Sequence, residues 1–216
     1  MKVPSYDEAK VDALKASDQV PHRAKELLLN IVEHERHLVL VRLKLTGSRK
    51  DVADLLPIEQ HLANEARIVF SLFTAIRKLF PDDSVFIVCP HRAQRSFIKA
   101  KLAGASNVKT DTVERMQGDQ AQIVIVCFGF TSQNQVKNEL DFVFNKNRLN
   151  VAVSRAQKLC IVLASEFVLW PPMEVMASEG RRDALNYVKR FEGEPRTLKV
   201  DWRLQVTAQK DAIEDA

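Results

Sequence analysis

Two unbroken apolar runs, residues 123–128 (IVIVCF) and 159–164 (LCIVLA), are each near the length of one buried strand and are bracketed by polar residues. A strand with one wet face, or an amphipathic helix, would place polar side chains at regular intervals inside such a run. A strand covered on both faces does not. The chain is therefore expected to fold around central parallel strands flanked by helices, an α/β arrangement. Ahead of each run lies a segment rich in polar side chains, residues 114–122 and 145–158, and the chemistry is expected there.

The remaining periodicities fill in the layers. Residues 7–16 and 20–33 read as helices, the second with Pro21 in its first turn and Val20, Ala24, Leu27, Leu28 and Ile31 on one face. Residues 37–43 (HLVLVRL) read as an entry strand, and 46–56 as a connection. A long amphipathic helix follows over 57–80, ended by Pro81. The strand SVFIVC leads through PHRAQ into a helix over 93–102, whose free N-terminal amides favour a phosphate. His91, Arg92 and Arg95 lie there. Beyond residue 165 come a Pro-Pro stop, a basic helix with Arg181, Arg182, Lys189 and Arg190, and the strictly alternating TLKVDWRLQV. That last stretch is a half-buried strand, either an added edge strand or a piece that docks on a partner. The basic helix face is a solvated surface or, in the second reading, a nucleic-acid contact. Three parts are expected: a lead over 1–56, a central domain over 57–168 and an extension over 169–216.

Composition narrows the class. A chain of 216 residues with 46% hydrophobic and 28% charged residues can bury one sizeable core with extensions. A net charge of +4 is compatible with a polyanionic partner without requiring one. Cys89, Cys127 and Cys160 all fall within apolar strand runs, without metal-ligand spacing, and read as buried reduced thiols. No metal site, membrane span or signal peptide is expected, and the location expected is intracellular, nuclear or cytoplasmic. GASNVKT (104–110) imitates a phosphate loop but lacks the glycine before its lysine and follows a helix instead of a strand. Nor does any apolar strand end in the acidic pair that would hold magnesium.

Three segments carry a resemblance. FIVCPHRAQ (86–94), TVERMQGDQ (112–120) and RLNVAVSRA (148–156) stand in the order of motifs IV, V and VI of superfamily 1 helicases of the up-frameshift type. The match covers about 64–165 and resembles the second of two RecA-like motor domains. It implies a RecA-like sheet of the P-loop NTPase kind that lacks its own phosphate loop, so that ATP and Mg2+ would bind only with the absent first motor domain. That domain would be supplied by the same longer chain or in trans. By the same resemblance Pro90, His91, Arg92, Thr112 and Val113 would lie on single-stranded RNA or DNA, and Gln117, Gly118, Gln120, Arg148 and Arg155 near the nucleotide. The chain departs from the family pattern at Gln120 and Gln122, where Glu and Asp are usual, at His91 for Tyr and at Cys89 for Thr. Asn64, Glu65 and Ala66 are similar to the Asn-x-x-Glu-Ala lead of a family helix, read here as packing.

Arg148 and Arg155 are seven residues apart, two turns of a helix, and so share one side if the segment is continuously helical. In the family the second arginine is a finger that reaches phosphate held by the other domain, and Arg155 takes that catalytic role by resemblance. The function expected is the C-terminal motor domain of an ATP-dependent helicase or translocase, with the isolated chain inactive. The alternative is a non-enzymatic nucleic-acid- or protein-binding module derived from such a domain. An unrelated doubly wound enzyme would have only His91 with Ser96 to work from. Phe142 and Phe144, between the motifs, are read as core packing, with base stacking as the second reading.

Overall fold

The computed structural model describes residues 6–47, 55–89, 92–116, 118–128, 132–138, 145–177, 179–194, 196–206 and 213–215. Seven strands form one sheet: β1 Leu38–Thr46, β2 Val85–Cys89, β3 Val108–Thr112, β4 Ala121–Phe128, β5 Ala156–Ser165, β6 Thr197–Val206 and β7 Ile213–Asp215. Their order is β3-β2-β4-β5-β1-β6-β7. Every neighbouring pair is parallel except β6 with β7. The two apolar runs lie at the centre as β4 and β5, hydrogen-bonded to each other and buried along nearly their whole length.

Helices cover both faces. α1 Glu8–Ala16, α2 His22–Glu33, α3 Ile58–Leu79 and α4 Arg92–Lys101 lie on one face, packed on Val39, Val41, Ile87, Ile125 and Ile161. The opposite face carries α5 Gln133–Asn138, α6 Lys146–Ser154, α7 Glu166–Leu169 and α8 Glu179–Gly193, with Leu40, Val124, Val126 and Val162 beneath them. Alternate residues of the central strands therefore feed two separate cores, which is why those runs tolerate no polar residue. α3 is as long as its periodicity predicts. It follows Pro57, and its last turn closes on Phe80 just before Pro81.

Arg77, one turn before that end, ties the helix to the sheet. Its guanidinium donates to the carbonyls of Phe80 (3.3 Å), Pro81 (3.2 Å) and Asp83 (2.6 Å), and to those of Ser106 (3.1 Å) and Asn107 (2.8 Å). It also lies 4.7 Å from the centre of the Phe73 ring. One fork thus holds the chain entering β2 against the chain entering β3.

The C-terminal alternating segment becomes an inner strand. β6 pairs with β1 from Leu38↔Thr197 to Thr46↔Gln205, and β7 lies outside it. Leu198, Val200, Trp202 and Leu204 face the core beneath α1 to α3, and Trp202 is only 2% exposed. On the other face Asp201 accepts from Arg42 Nε and Lys44 Nζ, both at 2.6 Å. Both bonds hold its carboxyl below the usual carboxylate range, against the opposing effect of burial. A one-residue slip of β6 would put Asp201 in the apolar core and Trp202 in water, so the charges and the ring specify the register together. The lead, the central segment and the extension all contribute strands to this sheet.

Candidate functional site

The segments singled out in the sequence gather at the two ends of the strands. A short 3-10 turn over Val113–Met116 leaves the C-terminal end of β3, and the chain then passes through Gly118 to the N-terminal end of β4. Gly118 has φ +88, a left-handed conformation that disfavours a side chain, although the space around its Cα is open. The amide N–H of Ala121 then donates to the carbonyl of Arg155 at 3.1 Å, joining the entries of β4 and β5.

α6 presents both arginines. Asn145 caps it by accepting from Asn147 N and Arg148 N at 3.1 and 3.2 Å. Arg148, in the first turn, pairs through Nε with Glu114 Oε1 at 2.9 Å, so the 3-10 turn and the helix touch through a charged contact. Arg155 closes the helix in a right-handed helical conformation and is half-buried. Its Nε is buried and has no hydrogen-bond partner among the described residues. The arrangement keeps Arg148 in a structural contact and leaves Arg155 at the junction of helix and strand.

The two glutamines standing where carboxylates are usual are both engaged. Gln120 Oε1 accepts from Gln157 Nε2 at 3.0 Å. Gln122 Oε1 accepts from Ser84 N at 3.0 Å and from the Ser84 hydroxyl, while Gln122 N donates back to Ser84 Oγ at 3.2 Å. Gln122 is thus a tie between the starts of β2 and β4. Asp119, one residue from the family's acidic position, pairs with Lys109.

At the C-terminal ends β2 and β3 finish side by side, Cys89 opposite Thr112. Arg92 opens α4 and is exposed. Thr112 is half-buried, and the Val113 side chain is 3% exposed within the core, so any ligand contact at 113 falls to its backbone. Pro90, His91 and Gln117 lie outside the described residues, as do Phe142 and Phe144. Ser96, the other member of the His91 pair, donates its hydroxyl to the Arg92 carbonyl at 3.1 Å. That is a backbone-directed bond within the helix, not an activated hydroxyl.

Arg95, which the sequence places beside Arg92 as a phosphate contact, turns instead to β3. Its Nη1 donates to Asp111 Oδ1 at 2.9 Å, and the same oxygen accepts from Thr112 N at 2.9 Å. Burial acts to raise the Asp111 pKa, but these two bonds and the positive charge of Arg95 outweigh it and hold the carboxyl below its usual range. Gln94 points the other way, inward, and donates to Glu65 of α3. Both are nearly inaccessible, at 1% and 4%. Asp111, Glu65 and Gln94 are the positions that sequence reasoning did not assign to the site. Glu65 carried a signal in its likeness to the family's Glu-Ala lead, but no periodicity identifies an acid whose partners lie on other elements.

The thiols are inert packing. All three are buried and free. A hydrogen bond with Cys89, and then burial, push the Cys127 thiol well up, and burial pushes Cys160 to about 12. Among the described residues no group of three or more His, Cys, Asp or Glu could hold a metal ion, and no helix is long and apolar enough to cross a membrane.

Comparison with known proteins bears on this geometry. Residues 5–166, more than half of the chain, match the family model described as an AAA domain. The match thus includes α1, α2 and β1 as well as the motif-bearing strands. A putative helicase, mov-10-B.1, of Danio rerio is 32% identical over 107 residues, 44% of this chain and 10% of that protein. The probable RNA helicase armi of Drosophila melanogaster is 30% identical over 112 residues, 49% of this chain and 9% of its own length. The DNA polymerase alpha-associated DNA helicase A of Schizosaccharomyces pombe is 32% identical over 88 residues, covering 40% and 13% respectively. The matched region therefore spans about a tenth of the length of these relatives.

Proposed function

The chain belongs to the AAA domain family in its superfamily 1 helicase form, with a RecA-like α/β fold, and from that premise we propose that it is the second motor half of an ATP-driven helicase or translocase. The observation that carries the reading is the placement of Arg155. It ends the motif VI helix beside the entry to β4, where Gly118 and Gln120 lie, and its Nε has no partner among the described residues. A permanently charged planar guanidinium at such a junction suits the charge that spreads over phosphoryl oxygens during transfer.

The donor set here fits the outer side of a triphosphate and not its cradle. Arg155, with Gly118 and Gln120, would face the nucleotide, while the phosphate loop and the acidic pair for Mg2+ would come from a first motor domain. ATP then supplies the driving reaction, and this chain supplies positive charge and orientation. At the opposite strand ends Arg92, the Thr112–Val113 backbone and the Pro90–His91 segment would meet single-stranded RNA or DNA.

The test is ATP turnover by the purified chain, alone and with a first motor domain supplied, with and without single-stranded RNA or DNA. Turnover is expected only with the supplied domain, and Arg155→Ala should lower it by about 10³- to 10⁵-fold. Turnover by the chain alone that Arg155→Ala abolishes would overturn the half-motor reading. A second reading, a binding module without motor activity, is favoured by the neutral amides of Gln120 and Gln122, already engaged with Gln157 and Ser84. It predicts nucleic-acid binding with no turnover even in the presence of a competent first domain.

A further inference from the structure

The described positions read as facing nucleic acid, Arg92 on one side and Thr112 with Val113 on the other, belong to different segments. Thr112 ends β3 and Arg92 opens α4. Two side chains from the first turns of α4 fix how they stand relative to each other. Gln94 is drawn inward to Glu65 of α3, and Arg95 sideways to Asp111 of β3. Consecutive residues anchored in two directions leave the helix start no freedom to rotate or slide. The second anchor also reaches the partner segment directly. Asp111 Oδ1 holds the Arg95 guanidinium and the Thr112 backbone N–H at the same distance, 2.9 Å. Arg95 is 21% and Asp111 13% exposed, so the pair lies largely beneath the surface.

We propose that Arg95 and Asp111 are positioning residues that lock the motif IV helix start to the motif V strand end, and that Arg95 is not itself a phosphate ligand. The inference rests on the reading that this end of the sheet binds single-stranded nucleic acid. It sharpens that reading by removing one arginine from the contact set and adding an acid to the machinery. The acid is the informative member. Near a polyanion, a carboxylate that did nothing but carry charge would oppose binding, and its neutralisation would tighten the complex. A carboxylate that holds the two contact segments in register does the reverse: neutralising it lets them separate and weakens the complex.

The sign of one substitution therefore decides. A fluorescein-labelled single-stranded oligouridylate, and its deoxy counterpart, are titrated with the wild-type chain, Asp111→Asn, Arg95→Gln and the double variant over a range of salt, with melting temperatures recorded in parallel. Asn at 111 can still accept from Thr112 N, so the charged link to Arg95 is removed while the turn is kept. The lock predicts that each single variant weakens binding by roughly three- to tenfold, that the double variant is no worse than either, and that the salt slope is unchanged. Tighter binding by Asp111→Asn, or a slope reduced by about 0.7 in Arg95→Gln, would show that Arg95 is a phosphate ligand restrained by Asp111 and would overturn the proposal. So would wild-type affinity in both single variants. If the wild-type chain binds neither oligonucleotide, the nucleic-acid reading itself fails, and this inference with it.

Discussion

Replacing Arg77 should test how the N-terminal ends of β2 and β3 are held. Its guanidinium serves five backbone carbonyls and the Phe73 ring, and no other residue type presents donors in so wide a planar fork. In Arg77→Ala the carbonyls of Pro81, Ser106 and Asn107, whose bonds are solvent-exposed, can be rehydrated at little cost. Those of Phe80 and Asp83 are in partly buried bonds and lose a charged donor, at about 1 to 2 kcal/mol each. The lost contact with Phe73 adds about 0.5 to 1 kcal/mol. The sum is about 3 kcal/mol, which in a chain of this size lowers Tm by roughly 10 °C. Arg77→Lys keeps the charge but can span only one side of the junction, and should recover less than half of the loss. Urea unfolding followed by circular dichroism, with the m-value held constant, reads both. A loss below about 1 kcal/mol in Arg77→Ala, or full recovery by lysine, would refute the view that the fork joins the two strand entries.

The C-terminal strand should prove integral to the fold: Trp202→Ala, at a fully buried ring, is expected to cost about 3 to 5 kcal/mol by the same urea assay. Asp111 and Asp201 have folded-state pKa values below the ordinary carboxylate value of about 3.9. Each therefore contributes stability that is present above that value and lost as pH falls through the lower, folded-state one. Melting temperature against pH should drop through the acid range in the wild type, and less steeply in Asp111→Asn. Cys89, Cys127 and Cys160 should resist an aromatic disulfide reagent in the native protein, with release rates that follow unfolding; rapid labelling of any one would contradict its burial. Gln122→Ala, which removes the two bonds that the side chain accepts from Ser84 and keeps the one its backbone N–H donates, should destabilise by about 1 to 2 kcal/mol.

Patterning along the chain determined the architecture. Six-residue runs without polar interruption fit a strand covered on both faces, since a buried helix would run longer, and β4 and β5 are those strands. The 3.6-residue repeat of α3 and its closing proline needed no tertiary information either. The motif segments were recognisable because a resemblance is carried by short contiguous stretches: it assigns Arg148, Arg155, Gly118 and Thr112 their expected roles, and spacing adds only that the two arginines stand two helical turns apart. Only the tertiary structure decided what the side chains touch. Arg95 reads as a phosphate contact because cations at a helix start commonly are, yet an acid sixteen residues later, on the neighbouring strand, claims it. Gln122 reads as a lost carboxylate, and it is a structural tie because β2 begins beside it. TLKVDWRLQV reads as an added edge strand or a piece that docks on a partner, and it lies instead between β1 and β7, where Asp201 meets Arg42 and Lys44 on one face of β1 and Glu192 of α8 reaches Arg42 as well. Periodicity reports which face of an element is apolar. It carries no information on which distant element supplies the opposite charge, because that depends on strand order, and strand order is settled by packing the whole sheet at once.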